Sequence, residues 1–411
     1  MRGGSVAIVG GSIGGCAAAM AAVRAGAERV EVFERSGNRL EEWGMGLAVN
    51  QGRYEELAAA DYLDDDIPFV RFHRRRWIVR DGDAPAGREL GVQGFDFRGY
   101  TWSVLWRELR RRVSGAAVYH PGTAVRAVAS RDDAAEVTFQ DGSSRSFDLV
   151  VGGDGYRSTV RDAVFPDSRP TYARYVAWRG TLPASELPDG LDWDPSDAIT
   201  VLFPQGHAVL YRIPSADGGT TANWLVYGAP PAETEITPDA PTSLPPGRTT
   251  DRLIDYLGDL VERHLPPLWA EIVRRSRDRV YVQPIYDFVS PRYVSGRLAL
   301  LGDAATVARP HTGAGAVKAL QDASALEAAL RETATWDEAL HRYDRERRDV
   351  GLAMVDLGRR LGLAQVEQVP DWSDMDDRAL RVWWAELVEK SGGFGGFSLN
   401  SQPVAAGSDR G

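Results

Sequence analysis

"SVAIVGGSIGGCAAAMAAVRAGAERVEVFER", Ser5 to Arg35, sets the fold class. Ser5–Val9 is an unbroken apolar run, the pattern of a parallel strand covered on both faces. The small residues from Ile13 to about Ala25 predict a helix able to pack closely on that strand, and Arg29–Phe33 predicts a second strand. Between strand and helix, Gly10, Ser12 and Gly15 occupy the three positions of a G-x-G-x-x-G signature, with Ile13 and Gly14 among them. Glycines there let the main chain approach a pyrophosphate, whose charge meets the helix N-terminus. Glu34, followed by Arg35, ends the second strand about 20 residues beyond the loop, where a carboxylate can take ribose hydroxyls. Strand, helix and acid fall in place together, so the unit reads as an adenine-dinucleotide site. On these residues alone NAD and FAD both remain open.

The bulk numbers exclude several other classes. A formal charge of −10 and a pI near 5.3 argue against nucleic acid, whose phosphates demand a basic face. The local basic runs, Arg74–Arg75–Arg76 and Arg110–Arg111–Arg112, read as solvated strand and helix faces. The single cysteine, Cys16, excludes an internal disulfide and any cysteine-built metal site, and it is expected to be buried among alanines. No metal is expected. Residues 1–4 lead straight into a core strand, which leaves no room for a signal peptide, and no apolar run approaches membrane-spanning length. A cytoplasmic protein with no membrane partner is the expectation.

At 411 residues the chain calls for two to three units. After the opening unit the character changes. "FVRFHRRRWIVRDG" alternates polar and apolar, Trp102–Val113 has helical apolar spacing, and Val176–Tyr227 carries several alternating strands. That second region predicts a mixed or antiparallel sheet. A Pro-rich connector follows, then an amphipathic helix from about Thr250 to Arg263. The core signal returns at "RLALLGD", and a long helix runs from about Trp336 to Leu363. "DRALRVWWAELVEK" predicts a short helix carrying Trp383 and Trp384, either packed on the core or forming a subunit contact. The Gly/Ser-rich tail from Ser391 reads as mobile.

Two further stretches repeat the strand–glycine–helix device. "DLVVGGDGYRSTVR" (Asp148–Arg161) ends a strand at Asp154–Gly155. "RLALLGDAATVARPHTGAGAVKALQDASAL" (Arg297–Leu326) turns at Gly302–Asp303 and enters a helix through Pro310, Gly313, Ala314 and Gly315. With the opening loop, this combination resembles the class A FAD-dependent aromatic hydroxylases, of the para-hydroxybenzoate hydroxylase fold, from Ser5 to about Leu363. "YVAWRGTLP" (Tyr175–Pro183), "GDAATVARPHTGAGAVKAL" and "YTWSVLW" resemble the 2,6-dihydroxypyridine 3-hydroxylase branch more closely. The resemblance implies an α/β fold: a discontinuous Rossmann-like FAD-binding domain (1–68, 101–175 and 289–370) and an inserted mixed β-sheet substrate domain (69–100 and 176–288). A helical C-terminal segment and tail (371–411) complete it. It also implies that Asp303 bonds the ribityl chain, that Pro310 to Gly315 line the isoalloxazine ring, and that Asp154 organises the site for FAD and the nicotinamide donor. A helix starting near Gly313 aims its positive end at the flavin edge that gains charge on reduction. Trp102, where many members carry Arg, and Ser12, in place of the central glycine, depart from the family pattern.

The implied chemistry is the cofactor's: NAD(P)H reduces FAD, O₂ adds at C4a, and the resulting hydroperoxide hydroxylates an electron-rich ring, a hydroxypyridine first. Phenolic or polyketide-type aromatics are the alternatives, as is a non-oxygenating FAD dehydrogenase. His311, Tyr211 and Pro310 are the candidate catalytic residues. Tyr211, Trp224, His207, Tyr286 and His311 are the candidate substrate contacts. Relatives are often dimers, so a homodimer is possible.

Overall fold

The computed structural model describes residues 3–37, 45–232, 234, 249–388 and 393–399. The opening unit forms as its sequence implies: strand Ser5–Val9, helix Ile13–Arg24 and strand Arg29–Glu34. These strands lie inside a six-stranded sheet. Its order is Val294–Ser295, Leu298–Leu300, Leu149–Gly152, Ser5–Val9, Arg29–Glu34, Val118–Pro121. All pairings are parallel except the first. Both faces are covered, which is why Val6, Ala7 and Ile8, and likewise Leu149, Val150 and Val151, are wholly apolar and buried.

The helix Ile13–Arg24 is buried along most of its length because alanines let it pack against two neighbours, Trp102–Val113 and Gly315–Glu332. Trp336–Gly362 lies against the latter. It begins with a capping box in which Thr335 Oγ1 accepts from the Glu338 N–H and Glu338 Oε2 accepts from the Thr335 N–H, both at 3.2 Å. A small antiparallel sheet, Val125–Ser130, Ala135–Phe139 and Ser144–Phe147, flanks this layer.

The second large sheet has nine strands. Their order is Thr306–Val307, Tyr281–Val289, Thr171–Pro183, Thr220–Gly228, Gly206–Pro214, Asp197–Phe203, Val70–Val79, Arg88–Thr101, Gly46–Asn50. It is antiparallel except where Val70–Val79 meets Asp197–Phe203. Both of its faces are apolar. The outer face packs under two helices, Asp251–His264 and Pro267–Arg275, through Trp178, Ile199, Val201, Leu210, Trp224 and Val226. The inner face, with Tyr175, Ala177, Tyr211, Leu225, Tyr227 and Ile285, turns toward Pro310–Thr312 and the turn Leu363–Glu367.

The helix Asp377–Val388 packs on the core, as the first of its two sequence readings has it: Trp384 sits 5.2 Å from Trp77 between ring centroids, at 62°. The tail is a correction. Residues 393–399 are seated on the structure rather than free. The Gly395 N–H donates to Thr312 O at 2.9 Å, Gln321 Nε2 donates to Phe397 O at 2.7 Å, and Ser398 Oγ bonds Glu56. Two phenylalanines, Phe394 and Phe397, explain it: a glycine-rich segment can still be anchored by the apolar side chains between its glycines. The rest of the tail, and most of the Pro-rich connector, lie outside the described residues. Among the described residues no helix is long and apolar enough to cross a membrane.

Candidate active site

Three turns meet at the carboxyl end of the parallel sheet. The first is the glycine loop. Gly10 has φ +92°, and a Cβ there would stand 2.6 Å from Gly153 O and 2.7 Å from the Asp154 Cα. A Cβ on Gly15 would come within 1.9 Å of Gly10 O. Both positions therefore demand glycine, and they bring the loop against the Asp154 turn. Gly14 packs on Leu301 and Ala319. Glu34 Oε2 accepts from the Gly11 N–H and Oε1 from the Ser36 N–H, both at 2.7 Å, so the acid braces the loop directly. Ser12 caps the helix by position only, without a side-chain bond. Cys16 is buried as expected, and burial pushes its thiol up to about 12.

Sequence reasoning missed two side chains here. Trp106 Nε1 donates to Gly11 O at 2.8 Å and Tyr119 Oη donates to the same oxygen at 3.0 Å. Trp106 was legible only as one apolar position of the Trp102–Val113 helix. Trp102 stacks on it, with ring centroids 6.2 Å apart and 12° between planes. The aromatic in place of the usual Arg thus extends a tryptophan pair that holds the loop.

The second turn carries Asp154. Its Oδ1 accepts from Ser158 Oγ at 2.6 Å and its Oδ2 from the Val160 N–H at 3.3 Å, so it organises the start of the helix Thr159–Val164. Burial pushes its carboxyl up to about 6 against those bonds.

The third turn is Gly302–Asp303. Gly302 has φ +59°, and its N–H donates to Asp322 Oδ2 at 2.9 Å. Asp322 is fully buried and is shared with Lys318 Nζ at 2.5 Å and Arg347 Nε at 2.7 Å. Burial works against the charge on Lys318, and Asp322 overcomes it, leaving the amine above its ordinary value. Asp303 keeps open surface at this turn, and desolvation by the surrounding protein raises its pKa. Beyond it, Pro310–Thr312 makes one 3-10 turn, Gly313 adopts φ +63°, and the helix Gly315–Glu332 begins with Ala314 buried at its N-cap.

This last turn faces the nine-stranded sheet. His311 is buried, its Nε2 lies 2.7 Å from Tyr175 Oη, and its Nδ1 has no partner among the described residues. Tyr227 and His207 lie 4.5 and 5.2 Å from it between ring centroids. His207 stacks on Tyr227 at 4.8 Å, and its Nδ1 is 3.2 Å from Gln365 O. Tyr211 shares this inner face and packs edge-on against Phe72 at 5.6 Å; burial pushes its hydroxyl up to about 12.

Two expected substrate contacts are corrected. Trp224 points to the outer face, fully buried under the two helices, with Nε1 donating to Ser276 Oγ at 2.8 Å. Tyr286 packs on Tyr156 and Tyr172 rather than facing His311, since Gln283, Ile285 and Asp287 hold the inner positions of its strand. The tyrosines that do lie beside His311 are Tyr175 and Tyr227.

His207 also gives a pH signature. Burial, then the nearby charge of Arg75, pulls its pKa from 6.5 down to about 3. Below pH 6.5 the unfolded chain therefore takes up a proton that the folded chain refuses, and stability falls as pH drops toward 3. The slope approaches about 1.4 kcal/mol per pH unit. Urea unfolding at pH 6.5 and 5 should show His207→Asn losing less stability over that interval than the parent; equal losses would count against a buried neutral His207.

The fit to a large dinucleotide follows from these features. Loop glycines with no room for a Cβ stand at the carboxyl end of the sheet with an exposed carboxylate, Asp303, and the following turn holds a buried imidazole nitrogen without a partner among the described residues. An FAD-binding-domain family model matches residues 101–358. The 3-amino-4-hydroxybenzoate 2-monooxygenase of Streptomyces cremeus is 30% identical over 92% of this chain and 91% of its own. This chain belongs to the FAD-dependent aromatic monooxygenases. The 2,6-dihydroxypyridine 3-monooxygenase of Paenarthrobacter nicotinovorans is 29% identical over 78% of this chain and 81% of its own. The solved 2,6-dihydroxypyridine-3-hydroxylase from Arthrobacter nicotinovorans superposes with a TM-score of 0.80 at 24% identity, covering 91% of this chain and 96% of that one. As a member of this family, the monooxygenase uses FAD as its cofactor, with NAD(P)H as the co-substrate typical of such enzymes.

Proposed function

We propose that this monooxygenase hydroxylates a small electron-rich aromatic ring, a hydroxypyridine in the first instance, between the Pro310–Gly315 turn and the inner face of the nine-stranded sheet. The observation that carries this reading is the convergence of His311, from the turn, with Tyr175, Tyr227 and His207. The likeness to the 2,6-dihydroxypyridine 3-monooxygenase of Paenarthrobacter nicotinovorans supports the ring class. In this reading Gly10–Gly15 and Glu34, with Arg35 beside it, take the diphosphate and ribose of FAD, and Asp303 takes the ribityl chain. Gly302 and Gly313–Gly315 shape the turn beside the ring system. The FAD held there would supply the redox chemistry, electrophilic oxygen drawn from O₂ at the expense of NAD(P)H.

The protein's own contribution is threefold. The N-terminus of the helix Gly315–Glu332 favours negative charge placed against it. The apolar wall of Tyr211, Leu225 and Phe97 keeps water from the reacting ring. His311 stays neutral because burial, foremost, and the charges of Arg309 and Arg75 hold its pKa well below the ordinary value. With Nε2 engaged by Tyr175, its Nδ1, which has no partner among the described residues, can accept a hydrogen bond from a ring hydroxyl, which makes the adjacent carbon more nucleophilic. The Streptomyces relative favours a second reading, a hydroxybenzoate.

The test is oxidation of NADH and NADPH by the FAD-loaded protein against hydroxypyridines and hydroxybenzoates, with product mass and peroxide followed in parallel. A compound that accelerates oxidation and gains one oxygen atom supports the proposal and identifies the ring. Flavin reduction that no compound accelerates, with no oxygenated product, would overturn it.

A further inference from the structure

Arg74, Arg75 and Arg76 follow one another in the strand Val70–Val79, and strand alternation sends them to opposite faces. Arg74 and Arg76 reach carboxylates on the outer side: Arg74 Nε lies 2.7 Å from Asp197, and Arg76 Nε lies 2.6 Å from Glu89. Arg75 turns to the inner face and is only 6% exposed. Among the described residues no carboxylate lies within ion-pair distance of it. Its Nε donates to Thr200 Oγ1 at 2.7 Å, and its terminal nitrogens donate to nothing among the described residues. Its guanidinium carbon stands 3.9 Å from the Trp77 ring centroid, 4.9 Å from Trp384 and 5.9 Å from Phe95.

These aromatic faces attract the cation but accept no planar pair of hydrogen bonds. The inner-face carboxylate Asp287 is already held by Arg309 at 2.9 Å and Arg359 at 2.7 Å, and Glu367 by Arg309 at 2.7 Å. A buried charge without a counter-charge is costly. Burial pulls the guanidinium down to about 9, still protonated at neutral pH, and its charge acts on Tyr227, His207 and His311. Arg75 stands opposite Ala198, which packs with Tyr211, and its partner Thr200 stands opposite Val209, between His207 and Tyr211, so the free donors share the inner face that carries the candidate ring site.

We infer that Arg75 is the recognition residue for an oxyanion carried by the aromatic substrate, either a ring carboxylate or an ionised ring hydroxyl. This rests on the ring site proposed above. A planar guanidinium with two unused terminal nitrogens matches such a group in a bidentate way. Thr200 fixes the orientation of the fork, and the tryptophans hold it from behind. A neutral ring would leave the buried charge uncompensated and bind less well for that reason.

The experiment is titration of the FAD-loaded full chain, read by perturbation of the flavin absorbance, with paired probes. One pair is 4-hydroxybenzoate and 4-hydroxybenzamide; the other is 2,6-dihydroxypyridine and 2,6-dimethoxypyridine. Arg75→Gln, Arg75→Lys and Thr200→Val are compared with the parent after FAD content and thermal melts establish folding. In the parent, the anion-forming member of at least one pair should bind about tenfold or more tighter, the factor equal to 1.4 kcal/mol. Arg75→Gln should erase that ratio while leaving the neutral member unchanged, and Arg75→Lys should retain part of it. Which pair discriminates distinguishes carboxylate from ring oxide. If Arg75→Gln does not fold, Thr200→Val, with the charge intact, should reduce the ratio several-fold. Equal affinities within both pairs, or a ratio that survives in the variants, would overturn the assignment of Arg75. If none of the four compounds perturbs the flavin, the ring-site proposal falls and the role of Arg75 falls with it.

Discussion

Gly15→Ala is expected to leave the protein largely free of FAD. The new Cβ would stand 1.9 Å from Gly10 O, a backbone atom that no rotamer change can move. Gly10 is itself fixed by its φ of +92° and by its contact with Gly153 and Asp154. The helix Ile13–Arg24 must therefore withdraw from the strand end, and it is tightly packed on two other helices. Overpacking of this kind costs about 1–3 kcal/mol. If that cost falls on the geometry that grips the diphosphate, FAD binds about five- to 150-fold more weakly. The ratio of flavin to protein absorbance after purification, followed by FAD titration of the apoprotein, measures it. An FAD affinity within twofold of the parent would mean that the loop does not hold the cofactor in the way proposed.

Asp322→Ala is expected to be the most destabilising single change. Asp322 neutralises two buried cations, Lys318 and Arg347, and accepts the Gly302 N–H that sets the third turn. Removing it leaves both charges without a counter-ion in the core, a situation that costs about 3–5 kcal/mol. Lys318→Met should cost clearly less, since Asp322 keeps Arg347 as its partner. Urea unfolding at pH 7 measures both. A loss below about 1 kcal/mol for Asp322→Ala would show that water reaches the cations and that the network is not sealed. Because the same carboxylate positions Gly302–Asp303, FAD retention should fall with stability in Asp322→Ala but much less in Lys318→Met.

The long helices and the central parallel strands were legible from the sequence, whereas the helices Gln51–Ala59 and Pro267–Arg275 and the edge strand Val118–Pro121 drew no reading. The spacing implies Trp102–Val113 and the structure has those bounds; it implies Trp336–Leu363 and the helix ends at Gly362. A long apolar period, bounded by caps and glycines, leaves little freedom. The inner lining of the nine-stranded sheet was not legible. A strand with one wet face announces its direction by alternating polar and apolar residues, but "ANWLVYG" is buried on both faces. Nothing in its composition says that Leu225 and Tyr227 look inward while Trp224 looks out. Arg75 was hidden in the opposite way: among three arginines it resembles a solvated run, and only the register with Ala198 places it inside. Lys318 and Arg347 sit in helices whose sequences give no sign that a buried acid awaits them.

The strand order of the six-stranded sheet has a consequence for synthesis. Leu149–Gly152 pairs on one edge with Ser5–Val9, which precedes it, and on the other with Leu298–Leu300, which follows much later. At about 5–20 residues per second, the ribosome takes roughly 7–30 s to cover the interval between those two strands. Throughout that time the nascent chain presents a short, wholly apolar strand with an open edge, the kind of template on which chains pair with one another. The late strand that completes the cofactor layer is therefore also the one that closes this edge. Yield in a heterologous host should then depend on how quickly residues 298–300 arrive and on how many neighbouring chains are being made at once.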